Sequence, residues 1–268
     1  MNVLSMYAGA ILATIRRDAA IFVSYRFRVV TQILGVLFSL TTFYYIAKLV
    51  RPDAVGARGQ YYAFVVVGVV IMSVLTAALT TAQIVRTELM QGNFERIMIS
   101  PLGPIGGVVA LAAFPVLYST AFAGVMLLLA VALYGVPLHA AGIPLALVVG
   151  ALGALAFTCI GLMFVSALLA FKSSVGPAWV IAGLSLLGGA YFPVKLFPEW
   201  IRWASEVQPF TPTVDLLRHQ LVGTASLQPV ELELLKLAAF TMVLVPIAIT
   251  VLRLAVNTSR RRGTIMEF

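Results

Sequence analysis

The chain has 268 residues, 61% of them hydrophobic and only 10% charged. A soluble domain carries roughly 25% charged residues, so a water-soluble globule is excluded, and so is a disordered chain. The net charge of +8 lies between apolar runs, where it reports topology rather than nucleic-acid binding.

Residues 4–25 come first in the chain. Leu4, Ile11, Ile15, Ala19 and Phe22 recur at helical spacing, with Arg16, Arg17 and Asp18 off that face. Such a helix is expected to lie in the inner membrane surface, as an anchor or as a docking surface for a cytoplasmic partner. Six apolar runs follow, at 27–50, 60–85, 104–134, 143–171, 175–191 and 230–256. A crossing helix needs about 20 residues, so each qualifies, 175–191 only just. Pro115 is expected to kink or tilt the third. Six spans place both termini on one side. Eleven of the 18 Lys and Arg fall on that side, notably Arg16, Arg17, Arg26, Arg28 and Arg260 to Arg262. The expectation is a multi-pass protein of the cytoplasmic (inner) membrane with both termini cytoplasmic. No internal repeat is visible, and residues 1–268 read as a single domain.

Two connecting segments are longer than connection requires. Residues 86–101 form a helix-length amphipathic insert on the inner side, with bulky Leu89, Phe94, Ile97 and Met98, charged Glu88, Glu95 and Arg96, and Pro101 to close it. A short helix across the ends of two spans is what a rigid mechanical contact needs. Residues 192–223 read as two short helices. Pro198 suits the first helical position of one, with Trp200, Trp203, Ala204 and Val207 on a face and Pro209 as its end. The other starts at Thr211-Pro212, with Val214, Leu217 and Leu221 on a face and Gly223 as its cap. Each has about ten residues, too short to span, and is expected to be re-entrant, packed inside the protein near the outer mouth. Asp215 and Arg218 are spaced to pair at i,i+3; His219 reads as a polar-face residue.

No catalytic or metal-binding pattern is present. The single cysteine, Cys159, lies in an apolar run and reads as packing, and no Cys/His metal spacing exists. There is no phosphate-cradling G-x4-G-K-[ST], no H-E-x-x-H and no nucleophile elbow. Uncharged polar groups do occur in the first two spans, Thr31, Gln32, Thr41, Thr42, Thr76, Thr80, Thr81 and Gln83, with Phe43, Tyr44, Tyr45, Tyr61 and Tyr62 clustered at their outer ends. They line a pathway for a sugar or amphipathic drug, with Thr41, Tyr44, Tyr45, Thr76 and Thr80 as its candidates, or else form an interfacial aromatic belt with hydroxyls bonded to their own helices.

Glu88, Gly92, Glu95 and Pro101 fit an E-x3-G-x2-E-x5-P pattern, and Phe192-Pro193, Pro198-Glu199-Trp200, Pro209 to Pro212, Asp215, Arg218 and Gly223 follow in order. With the N-terminal helix and the span count, these resemble the permeases of the ABC type 2 exporters, which move drugs, lipids or polysaccharides. The resemblance implies an all-α permease of six transmembrane helices. It makes 4–25 an interface helix, 86–101 a coupling helix, and 192–223 two re-entrant helices before the last span. It implies coupling to an ATPase through Glu88, Leu89, Gly92, Phe94, Glu95, Arg16 and Arg17. It implies an outer re-entrant gate of Phe192, Pro193, Pro198, Trp200, Pro212, Asp215 and Arg218. The implied partners are a nucleotide-binding ATPase subunit that carries ATP and Mg, a second permease copy, and the bilayer, with no cofactor in this chain. A stand-alone secondary carrier or channel, or a non-transporting scaffold, is the alternative.

Overall fold

The computed structural model describes residues 3–49, 58–98, 100, 102–171 and 177–261, and among these there are helices and connections but no strand. Helix α1 (Val3–Ser24) meets α2 (Arg26–Leu49) at Tyr25, whose N–H still reaches the Phe22 carbonyl at 3.2 Å. Helices α3 (Arg58–Leu79) and α4 (Thr81–Met90) form a nearly continuous rod, because the Thr80 N–H donates to the Thr76 carbonyl at 2.9 Å across the junction. A five-residue helix, α5 (Phe94–Met98), leads to α6 (Gly103–Tyr134) and α7 (Ile143–Phe171). Then come α8 (Pro177–Leu187), α9 (Glu199–Glu206), α10 (Phe210–Val222) and α11 (Val230–Arg261).

Five stretches among the described residues are long and apolar enough to cross a membrane: Val29–Leu49, Tyr61–Met90, Gly103–Tyr134, Ala140–Phe171 and Val230–Arg261. Helix α7 is their hub. Helix α11 lies along it, and α3, α4 and α10 pack on its other faces. The approach is close where side chains are small: a Cβ on Gly161 would lie 2.2 Å from the Ala78 carbonyl oxygen. In lipid, where burying apolar surface drives little, such backbone contact supplies the packing energy.

The bundle has two distinct ends. At one, Leu89 and Phe94 share a buried cluster with Leu252 and Val256 of α11, and Arg17 of α1 reaches Glu88. Both terminal helices thus come to the same end. At the other, the His139 N–H donates to the Leu221 carbonyl at 2.9 Å and ties the α6–α7 connection to α10.

The expected fifth span, 175–191, is a different object. Its helix α8 has 11 residues, about half the length that a 30 Å hydrocarbon core requires. Gly188-Gly189 stop it. Gly189 takes φ +78° and donates to the Leu186 carbonyl, while the Ala190 N–H reaches back to Ser185 at 2.9 Å. That is a Schellman ending, open at low cost only to a residue tolerant of positive φ. Residues 172–176, the expected tight polar connection and the start of that run, lie outside the described residues.

The 192–223 segment also departs from expectation. Pro198 is the N-cap of α9 rather than its first residue, α9 ends at Glu206, and Pro209 caps the start of α10 at Phe210. Helix α10 is packed inside the protein as expected, with Val214, Leu217 and Leu221 buried and Gly223 as its left-handed cap. Helix α9 is not: Trp200, Trp203 and Val207 are exposed.

Candidate functional site

At the α1 end, the rod stops at Gly92. With φ +70° it donates to the Leu89 carbonyl, and the Asn93 N–H returns to the Glu88 carbonyl at 3.0 Å. The insert expected as one helix over 86–101 is therefore the last turns of the rod, a Schellman turn, and α5. Asn93 then starts α5 by accepting the N–H groups of Arg96 and Ile97. Leu89 and Phe94 flank the turn and are buried in the cluster formed with α6, α7 and α11. They anchor the segment and offer little surface of their own. What faces outward is Gly92, Arg16 and Arg17, with Glu88 beside them. Arg17 pairs with Asp18 at 2.8 Å and with Glu88 at 3.7 Å. Glu95 sits on α5, but its side chain and Pro101 lie outside the described residues.

The residues expected along a pathway separate into two places. Thr76 and Thr80 line a groove of about 820 Å³ between α2, the α3–α4 rod and α6. Thr41 and Tyr44 are at the opposite end. There Tyr44, Tyr62 and Tyr134 pack mutually with ring centroids 4.8 to 5.5 Å apart. Thr41 hydrogen-bonds Tyr134, and the Lys48 ammonium lies 4.5 Å over the Tyr44 ring. Tyr45 is exposed beside them. Thr41, Thr42, Thr76 and Thr80 all donate to carbonyls of their own helices, as the belt reading expects. The sequence offers Gln32 among the polar groups of the first span but not its partner Tyr118, which donates to it across the groove at 2.9 Å, nor the ladder Phe114, Tyr118 and Phe122. Their i, i+4, i+8 spacing was the available signal.

The third constellation surrounds Arg218. It is buried and donates to three carbonyls, of Phe64 at 2.9 Å, Gly189 at 2.8 Å and Ala190 at 2.7 Å. Its guanidinium also stacks on the Phe64 ring at 3.3 Å. The expected Asp215–Arg218 ion pair is absent. Asp215 accepts the Leu227 N–H at 2.8 Å instead. Burial pulls the Arg218 pKa down to about 9, still charged at neutral pH, with Asp215 acting in the opposite sense. Burial pushes the Asp215 carboxyl up, and the Leu227 hydrogen bond with Arg218, His219 and Lys195 counters it. Pro193, Asp215 and Arg218 line one pocket of about 330 Å³, and Pro212 is buried on α10. Phe192, Pro198 and Trp200 are exposed and do not join them. Cys159 is buried among apolar residues, as expected of a packing residue. No cluster able to hold a metal occurs among the described residues.

The chain matches the model of a known family. The family described as ABC-2 type transporter covers residues 7–222, from α1 to the end of α10. The chain belongs to the ABC-2 type transporter family. No curated protein matches it. As an ABC-2 family protein it is a multi-pass membrane protein and the transmembrane, permease subunit of an ABC transporter, of a kind that works with an ATP-binding subunit.

Proposed function

We propose that this chain is the membrane subunit of an ATP-driven exporter that moves an amphipathic substrate (a drug, a lipid or a lipid-linked glycan) out across the cytoplasmic membrane. A separate ATPase subunit binds ATP and Mg and supplies the energy. Two permease copies surround the pathway. Each has six crossings counting the segment that contains α8, both termini are cytoplasmic, and α9 and α10 are re-entrant from the outer side. Residues 1–268 act as one domain.

The observation that carries this reading is the construction of the Gly92 turn. A connector between two spans needs only a few residues. Here the turn is held on the buried Leu89 and Phe94, tied to α1 through Arg17 and Glu88, and continuous with a rod that runs the length of the bundle. A partner that pushes on Gly92, Glu88 and Glu95 moves α1, the rod and α6 together. The turn acts as a lever rather than a tether.

The test is purification of the tagged chain from native membranes in mild detergent. Co-purification of a soluble ATPase, with ATP hydrolysis sensitive to vanadate, is the expected result. A lone oligomer without ATPase overturns the reading and leaves a secondary carrier, a channel or a scaffold.

A further inference from the structure

The groove of about 820 Å³ has the size of a small-molecule site, and its chemistry is one-sided. One wall is the ladder of Phe114, Tyr118 and Phe122, joined by Phe22 of α1 with its ring centroid 4.4 Å from that of Tyr118. Aromatic faces carry partial negative charge and attract cations. Thr76, Thr80 and Ser119 donate inward to their own helices, so their oxygens meet the groove as acceptors. Pro115 has no N–H to give the Leu111 carbonyl one turn back, and both residues line the groove. At the α1 end stand two carboxylates, Asp18 and Glu88, against one guanidinium, Arg17, the only cation among the described lining residues. Arg17 is 2.8 Å from Asp18 but 3.7 Å from Glu88, so of the two carboxylates Arg17 holds Glu88 the more loosely.

We propose that this groove binds an amphiphilic organic cation, its apolar body on the aromatic ladder and its positive charge toward Glu88. Carboxylates outnumber guanidiniums two to one among the described lining residues, which favours a cation over an anionic lipid headgroup. Only the claim that the bound cation is cargo rests on the transport reading; the binding stands apart from it.

The experiment uses the full chain in lipid nanodiscs, with radiolabelled tetraphenylphosphonium as probe and tetraphenylborate, its anionic isostere, as control. Protein-free nanodiscs give the background. Saturable binding of the cation, without saturable binding of the anion, is expected. Glu88→Gln weakens it about tenfold, the effect of losing one charge contact of about 1.4 kcal/mol. Gly35 lines the groove and has open space where a Cβ would stand, so Gly35→Phe blocks binding while the thermal transition stays in place. Equal saturable binding of both ions overturns the proposal. So does unchanged cation binding in both variants, or tightly held phospholipid that the cation does not displace. Cation binding without a co-purifying ATPase sinks the transport reading alone; an active ATPase complex that does not bind the cation sinks this proposal alone.

Discussion

The Nη1 of Arg218 donates to the carbonyl oxygen of Gly189 at 2.8 Å, and this bond closes the end of a helix that the arginine does not belong to. Breaking an apolar helix inside a bundle leaves carbonyls that lipid cannot satisfy. Arg218 supplies two of the missing donors there and a third to Phe64 of α3. Only glycine at position 68 admits this arrangement, because a Cβ there would lie 2.1 Å from the Ala190 oxygen and 2.6 Å from the Arg218 Nη2. The break in α8, the buried arginine and the glycine form one device.

Arg218→Lys keeps the charge but lacks the fork that serves three acceptors at once. Each carbonyl left bare costs about 1–3 kcal/mol, so a clear loss of thermal stability is expected in detergent. Gly68→Ala is expected to match it. The double variant should lose less than the sum, since both changes break the same cluster. Strict additivity would mean that the two positions act separately.

Gly92 holds φ +70°, a conformation costing an ordinary L residue about 1–2 kcal/mol. Gly92→Ala is expected to insert in the membrane and to unfold only slightly earlier. Its main effect is on the direction of the turn, read as lower ATP hydrolysis in the complex. Gly9 is not at positive φ and has open space around it, so Gly9→Ala is the control and should leave both readouts unchanged.

Leu89 and Phe94 are expected to differ from Glu88 in kind. Truncation of a fully buried side chain costs about 2–5 kcal/mol, so Leu89→Ala and Phe94→Ala should lower the melting temperature and activity together. Glu88→Gln removes a weak, partly exposed ion pair and should leave melting almost unmoved. Reduced ATPase stimulation in Glu88→Gln at an unchanged melting temperature checks the separation; parallel loss of both would make Glu88 structural.

Much of this was legible in the sequence. The apolar runs, the cap at Gly223 and the burial of Cys159 follow from composition and local rules. The fifth run came out longer in the sequence than its helix α8 is, because hydropathy counts apolar atoms and is blind to φ, so Gly188-Gly189 looked like more helix. The Asp215–Arg218 pair failed because helical spacing is a local rule. Arg218 is claimed by carbonyls 28, 29 and 154 positions away, which spacing cannot see. The amphipathic face of α9 was legible, but not its direction. Trp200 and Trp203 suit lipid or a second copy as well as a protein core. The groove was missed because its walls come from α1, α2, the α3–α4 rod and α6, each ordinary alone.

Asp215 gives a pH dependence with a definite sign. Burial raises its pKa in the folded protein above the ordinary carboxylate value. The folded state therefore holds the proton more tightly than the unfolded state. The resulting stabilisation is complete below the unfolded pKa and is lost as pH rises through the folded one. Asp215→Asn keeps an oxygen for the Leu227 N–H but has no proton to bind. The melting temperature of the wild-type protein, minus that of the variant, is expected to increase as the pH is lowered from neutral through the carboxylate range. A difference that stays flat would mean that Asp215 is solvated. A difference that falls would mean that Arg218, Lys195 and His219 hold the carboxylate ionised and outweigh burial.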